Sequence, residues 1–399
     1  MASHLLLNTG MIERQVAMQF LSQIDQAQKK KLALVVQGGG QRGIFTAGVF
    51  DTFLEAGFDP FELYIGTSAG ALNLSSFISR QCRFGYNFIV NYTTDDQFFS
   101  LYKYLSQQKP LNLDWALDAV SAKGPMPLDI TTARKILRYR QAFACATRKD
   151  TLQDIYLPLY QKNWKEVLRA SCAIPVLYNQ KVNFNDLEWV DGGVSAAIPV
   201  KEAWKRGADL VIVVRTEPVE SGNNGVGVLD DWRGKIESRL PQYIEKLSLN
   251  QSLDKIKAIH DDLTQRFDLW KGNRSNNKAP MNQTQDDDLM KSDNGSWKWF
   301  TADNFDRFIA ITSKGKNNEV VEMLTNYYQS HRKLNDFLTH PPEGLMVIQI
   351  APEKSLRSRA LLSDKDDLEV DYREGKEIAH HFIKHFAEIL NEKTTLRQR

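Results

Sequence analysis

Residues 66–70 read Gly66-Thr67-Ser68-Ala69-Gly70, a G-x-S-x-G pattern. The apolar run Leu63-Tyr64-Ile65 precedes it, and helical spacing runs from Ala71 to about Ser79 after it. A serine at such a strand-to-helix turn is a candidate nucleophile, because the turn lifts the hydroxyl out at the carboxyl end of the sheet. Gly66 and Gly70, two residues either side, have to be tiny to clear the neighbouring strand and helix. The helix N-terminus beneath the serine offers free N–H groups and a positive dipole end to a developing negative charge. The chemistry that fits is acyl transfer through a covalent intermediate.

A second small-residue turn, Gly38-Gly39-Gly40-Gln41-Arg42-Gly43, follows the apolar run Leu32-Ala33-Leu34-Val35-Val36. It formally fits G-x-G-x-x-G, which invites a dinucleotide. Such a site wants an acid about 20 residues on, at the end of the next strand. Here Glu62 stands at the start of that strand, and its end holds Gly66–Ser68. An anion cradle is the better use: successive glycine N–H groups can converge on one oxygen, and Arg42 adds charge. Beside a serine nucleophile, Gly38, Gly39, Gly40, Arg42 and Gly43 would form an oxyanion hole.

The serine needs a base. The seven histidines are His4, His260, His331, His340, His380, His381 and His385, and none falls between residues 5 and 259, where every motif sits. Val190-Asp191-Gly192-Gly193 offers a carboxylate instead. Asp191 would stand at a strand end, with Gly192 and Gly193 clearing space around it. A partly desolvated carboxylate has its pKa raised towards the working range and can take the serine proton directly. The residues alone leave both bases open, a remote histidine and Asp191.

These side chains have to be held by a larger frame. Strand, Gly-rich turn and helix, twice repeated, indicate a parallel sheet with helices on both faces. Further strands are expected at 141–147, Asp209–Thr216 and Leu345–Ala351, and an amphipathic helix over 11–30. Residues 80–140 are less regular and aromatic-rich (Phe84, Tyr86, Phe88, Tyr92, Phe98, Phe99, Tyr102, Tyr104, Trp115). The stretch 220–305 is polar, and its 271–296 run has the composition of a mobile surface loop. The expected division is an N-terminal helix (1–31), a catalytic core (32–219) containing the helical segment 80–140, a polar insertion (220–305), and a C-terminal segment (306–399) completing the α/β domain.

Composition narrows the function. Fifty-one Lys+Arg against 49 Asp+Glu give a net charge of +2, which argues against a nucleic-acid binder. Three scattered cysteines, Cys82, Cys145 and Cys172, are too few for a disulfide framework or a zinc site. No run reaches the ~18 apolar residues of a membrane span, and the N-terminus lacks the apolar core of a secretory signal. A cytoplasmic chain is expected, with peripheral membrane contact left open.

GGGQRG, GTSAG and DGG, in that order, resemble the patatin-like phospholipase family. Ala170-Ser171-Cys172-Ala173-Ile174-Pro175-Val176-Leu177-Tyr178 is similar to that family's small-residue-then-proline segment. The resemblance spans roughly 32–216, with looser similarity to bacterial members through Leu345–Lys384. It implies a three-layer α/β/α sandwich around a mostly parallel sheet, and a Ser–Asp dyad without histidine. Carried over by position, Ser68 is the nucleophile, Asp191 the general base, and Gly39, Gly40 and Arg42 belong to the oxyanion loop. The implied activity is that of a serine lipid acyl hydrolase, of phospholipase A or lysophospholipase type. Its substrate would be a phospholipid or another acyl ester, and it would need neither metal nor cofactor. A hydrolase of small soluble esters or thioesters on the same dyad, and a non-catalytic lipid-binding protein, are the alternatives. The aromatics of 80–115 favour a fatty-acyl groove. Two departures from the family pattern are small: Gln37 stands where plant members often have Asp, and Asp-Gly-Gly replaces Asp-Gly-Ala.

Overall fold

A computed structural model describes residues 4–7, 31–100, 110–175, 177–178, 180–219 and 318–395. The helix expected over 11–30 and the stretch 220–305, with its 271–296 run, lie outside the described residues, as do Tyr102, Tyr104 and His260.

The described strands form one sheet. They are β1 (His4–Leu7), β2 (Leu32–Val36), β3 (Leu63–Thr67), β4 (Gln141–Arg148), β5 (Gln153–Pro158), β6 (Val182–Phe184), β7 (Leu187–Asp191), β8 (Leu210–Val214) and β9 (Met346–Ile350). Their order is β1-β9-β8-β2-β3-β4-β7-β6, with β5 paired to β4. From β1 to β4 along this order every pairing is parallel, while β5, β6 and β7 enter antiparallel. The helices are α1 (Gly43–Glu55), α2 (Ala69–Ile78), α3 (Phe84–Phe88), α4 (Leu113–Ala119), α5 (Ile130–Ile136), α6 (Trp164–Ser171), α7 (Gly193–Ala196), α8 (Val200–Lys205), α9 (Asn318–Thr339) and α10 (Lys365–Thr395).

Strands β2 and β8 are apolar without alternation because both faces of the sheet are covered. Leu32, Leu34 and Val36 point into a large core with Phe45 and Phe50 of α1, Phe77 of α2 and Phe382 of α10. Ala33 and Val35 point into a smaller one with Val200 and Ala203 of α8 and Leu334 and Leu338 of α9. Two helical layers thus enclose the mostly parallel sheet, the sandwich implied by the resemblance. Strand β1, paired with β9 from His4↔Val347 to Leu7↔Ile350, has no counterpart among the strands expected from the sequence.

Register places the motifs. Val36 pairs with Gly66 across β2 and β3, so the Gly38–Gly43 loop and the serine turn emerge side by side. Thr67 pairs with Cys145, and Asp191 pairs with the next residue of β4, Ala146. Ser68 and Asp191 therefore reach the same level from strands on opposite sides of β4, about 10 Å apart at the backbone. Their side chains can close that gap. Chain order changes direction at β2, whose neighbours are β3 and β8, and ligands of open α/β sheets bind at such a crevice.

Phe84, Phe88, Phe98 and Phe99 are buried. The described aromatics of the 80–115 region include these core residues and do not form a continuous exposed apolar face. Among the described residues no helix is long and apolar enough to cross a membrane.

Candidate active site

Strand β3 ends at Thr67 and α2 begins at Ala69, so Ser68 alone makes the turn, at φ 52° and ψ −124°. A non-glycine residue there costs about 1–3 kcal/mol of strain, which the surroundings must hold in place. Ser171, fully buried at the end of α6, is one of the holders. The Ser68 N–H donates to Ser171 Oγ at 2.9 Å, and that hydroxyl donates to the Cys145 carbonyl at 2.6 Å. The Ser68 carbonyl accepts from the Ala71 and Leu72 N–H groups of the first turn of α2. The tightness is measurable at Gly70, where a Cβ would stand 2.6 Å from the carbonyl oxygens of Val36 and Gln37, and at Gly66, where it would stand 2.7 Å from the Ala71 nitrogen.

The glycine-rich loop of residues 38–43 lies alongside. Gly38 is packed against the turn: a Cβ on it would be 3.3 Å from Ser68 Cβ. Gly39 (φ 151°) and Gly40 (φ 59°) adopt backbone that side chains resist, and a Cβ on Gly40 would stand 2.2 Å from the Ala360 carbonyl oxygen. Among the described residues neither the Gly39 nor the Gly40 N–H has an acceptor. Gly43 opens α1, and its carbonyl accepts from Asn73 Nδ2 of α2 at 3.0 Å, tying loop to turn. Arg42 points elsewhere. Its guanidinium pairs with Glu217 at 2.9 Å, and Gln37 Nε2 donates to the same carboxylate at 3.1 Å. Thr216 adds a bond from its hydroxyl to the Gly38 carbonyl at 2.7 Å. The segment after β8 straps the loop from behind.

Asp191 ends β7 and is 7% exposed. Its Oδ1 accepts the Gly193 N–H at 2.7 Å, and its backbone N–H donates to the Ala173 carbonyl. The Gly192 N–H donates to the Ser171 carbonyl at 3.2 Å. Burial pushes the Asp191 carboxyl up to about 6, and the nearby Ser68 hydroxyl and Gly193 N–H pull the other way. Among the described residues Oδ2, which is buried, has no partner at hydrogen-bond geometry. The Ser68 hydroxyl is the side-chain group that favours the ionised carboxylate, which puts it close to Asp191. Of the histidines with described side chains, His340, His380, His381 and His385 are exposed. His331 is buried on α9 against Tyr327, 4.5 Å between ring centroids, and does not line the cavity that holds Ser68.

That cavity opens beside the serine. Gly40 and Ser68 supply wall at one place; Phe88, Phe98, Leu111 and Leu168 are among the side chains supplying the rest. Cys172 lines it too, and burial pushes its thiol well above the ordinary value, which makes it inert as a nucleophile. An apolar pocket with few polar groups is the usual form of a site for an apolar ligand.

The arrangement brings Ser68, Gly38, Gly40 and Asp191 together and directs the Arg42 charge to Glu217. Sequence reasoning missed Ser171, Thr67 and Glu217 as supports. Ser171 lay within a segment singled out for its small residues, which was the available signal. Glu217 is one polar residue after a strand, with nothing local to mark it.

A family model described as patatin-like phospholipase matches residues 34–204. A second model, described as a domain of unknown function (DUF6363), matches residues 317–391. Among curated proteins the chain is similar to the Escherichia coli (strain K12) protein named "Uncharacterized protein YjjU", 31% identical over 369 residues that cover 92% of this chain and 82% of that one. Among solved structures it is similar to VipD from Legionella pneumophila, at 12% identity and a TM-score of 0.35, over 92% of this chain and 68% of that chain. On the strength of the family match and of a relative alike along most of both chains, the chain belongs to the patatin-like phospholipase family.

Proposed function

We propose that the protein is a serine lipid acyl hydrolase of phospholipase A or lysophospholipase type, acting through a Ser68–Asp191 dyad. The family is one of lipid acyl hydrolases. The observation that carries the finer reading is the placement of Ser68: a strained serine in the wall of an apolar cavity, level with a buried carboxylate.

In this reading Asp191 takes the Ser68 proton as the oxygen attacks an ester carbonyl. With a pKa near 6 the carboxylate is mostly ionised at neutral pH and still basic enough for the task. The oxyanion is held by the Gly38–Gly43 loop, whose Gly39 and Gly40 N–H groups have no other acceptor among the described residues. Protonated Asp191 returns the proton to the leaving alcohol. It then deprotonates the water that releases the acid from the acyl-enzyme. The fatty-acyl chain lies along the apolar wall. Access to lipid is peripheral in this proposal.

Incubation with a total lipid extract, followed by mass spectrometry, tests the proposal. Loss of one acyl chain from glycerophospholipids or lysophospholipids, absent with Ser68→Ala, is the expected result. Intact lipids together with rapid hydrolysis of short soluble esters would overturn the lipid assignment.

A further inference from the structure

The turn after Asp191 is too short to hold itself. Helix α7 has four residues, fewer than any isolated helix can sustain, and its last carbonyls lack helical partners. Yet the Gly193 N–H that orients the Asp191 carboxylate belongs to it. Three carbonyls of this turn are taken by three different parts of the molecule. Thr67, the residue before Ser68, donates its hydroxyl to the Ala196 carbonyl at 2.8 Å. Gly38 of the oxyanion loop donates its N–H to the Ala197 carbonyl at 3.3 Å. Asn326 Nδ2 donates to the Val194 carbonyl at 3.1 Å.

The third of these partners comes from α9, in the segment matched as a domain of unknown function. The same Asn326 nitrogen donates to the Leu152 carbonyl at 3.2 Å, in the turn between β4 and β5. A carboxamide nitrogen has two hydrogens and spends both here. Asn326 thereby ties the turn that carries the base to the hairpin beside it. One helical turn earlier, Met323 packs against Val190 and Val194, the neighbours of Asp191 and Gly193, in an apolar cluster separate from the two main cores.

We propose that Asn326 is a positioning residue for Asp191, acting through the Val194 carbonyl, and that α9 contributes it as a working part of the active site. The proposal rests on the Ser68–Asp191 reading above. Thr67 and Gly38 fix two sides of the α7 turn to the nucleophile and to the oxyanion loop; α9 closes the third. Without the Asn326 bonds the turn is free to tilt, and the carboxylate moves with it relative to the Ser68 hydroxyl.

The test uses the full chain with a short soluble ester, so that acyl-chain binding plays little part. Asn326→Leu keeps the bulk and removes both donors; Asn326→Gln keeps two donors on a longer arm. For Asn326→Leu, kcat should fall by about 10–100-fold, the size of effect that small misplacements produce. KM should change little, the circular dichroism spectrum should be that of the wild type, and fluorophosphonate labelling of Ser68 should slow in parallel. Asn326→Gln should lie closer to the wild type. A folded Asn326→Leu protein with wild-type kcat, or equal losses in the Leu and Gln variants, overturns the proposal. If Asn326→Leu does not fold, Asn326→Ser, which keeps one donor, is read by the same kcat-against-KM criterion. Asp191→Asn measured alongside separates the two readings: activity surviving in that variant removes the dyad, whereas its loss together with a wild-type Asn326→Leu removes only the role of Asn326.

Discussion

The Thr67 hydroxyl donates to the Ala196 carbonyl at 2.8 Å, so the residue before the proposed nucleophile is bonded to the turn that follows the proposed base. Two motifs 123 positions apart at Ser68 and Asp191 are thus tied directly to each other. Ser171 joins them again from beneath, its hydroxyl on the Ser68 N–H and its carbonyl on the Gly192 N–H.

The strain at Ser68 separates stability from activity. Ser68→Ala and Ser68→Gly both remove the nucleophile and should abolish ester hydrolysis and fluorophosphonate labelling. They differ at the backbone, because φ is 52° and only glycine accepts that without penalty. Ser68→Gly should be more stable than Ser68→Ala by about 1 kcal/mol in urea unfolding. Equal midpoints would mean that the turn relaxes when the hydroxyl is lost.

Asp191 gives a pH signature with opposite effects on rate and stability. Its folded pKa of about 6 lies above the ordinary 3.8. The native state therefore binds the proton more tightly than the unfolded chain. The group's cost to stability grows as pH rises from about 3.8 to about 6 and is present in full above that, at roughly 3 kcal/mol. Asp191→Asn should stabilise the protein at pH 8 by an amount of that order and have little effect at pH 3. It should also lower activity by about 10²–10⁴-fold. Wild-type kcat/KM should rise with pH to a plateau, with its midpoint near 6. A flat profile across that range would remove Asp191 as the base.

Much of this was legible in the sequence because it was local. The continuous apolar runs marked β2, β3 and β8, and the glycines of the two turns have spacings set by close backbone approach, visible at Gly70 and Gly40. The absence of histidine between residues 5 and 259 directed attention to Asp191. What was not legible depends on pairing across distance. The Arg42–Glu217 ion pair, the Asn326 bonds to Leu152 and Val194, and the β1–β9 pairing each join positions more than 130 residues apart. A single polar side chain gives no periodicity to read. The aromatics of 84–99 were visible as a group, but a core and an exposed lipid-facing surface have the same composition.

Ser171 provides a test of the frame itself. Replacing it by alanine leaves the buried Ser68 N–H and Cys145 carbonyl without these partners. Each unpaired buried group costs about 1–3 kcal/mol. Ser171→Ala should lower the urea midpoint and reduce kcat, while KM for a short ester stays near the wild-type value. A stable, fully active Ser171→Ala protein would show that the Ser68 conformation is held by Gly66 and Gly70 packing alone.

The cavity makes chain length a measurable coordinate. Each substrate methylene moved from water onto apolar wall gains up to about 0.8 kcal/mol, roughly fourfold in kcat/KM. Across a series of 4-nitrophenyl esters, kcat/KM should climb with acyl length until the space lined by Phe98, Leu111 and Leu168 is filled, then level off. Phe98 is 8% exposed and lines this cavity, whereas Phe99 is 3% exposed and does not. Phe98→Ser should flatten the climb, lowering turnover of a long-chain ester far more than that of a butyrate. Phe99→Ser should cost stability and depress both substrates alike. If Phe98→Ser lowers both equally, the residue is serving the core, and the acyl chain must run along another wall. If kcat/KM is level from acetate onward in the wild type, the cavity does not receive the acyl chain, and the reading of this protein as a long-chain lipid hydrolase loses its structural support.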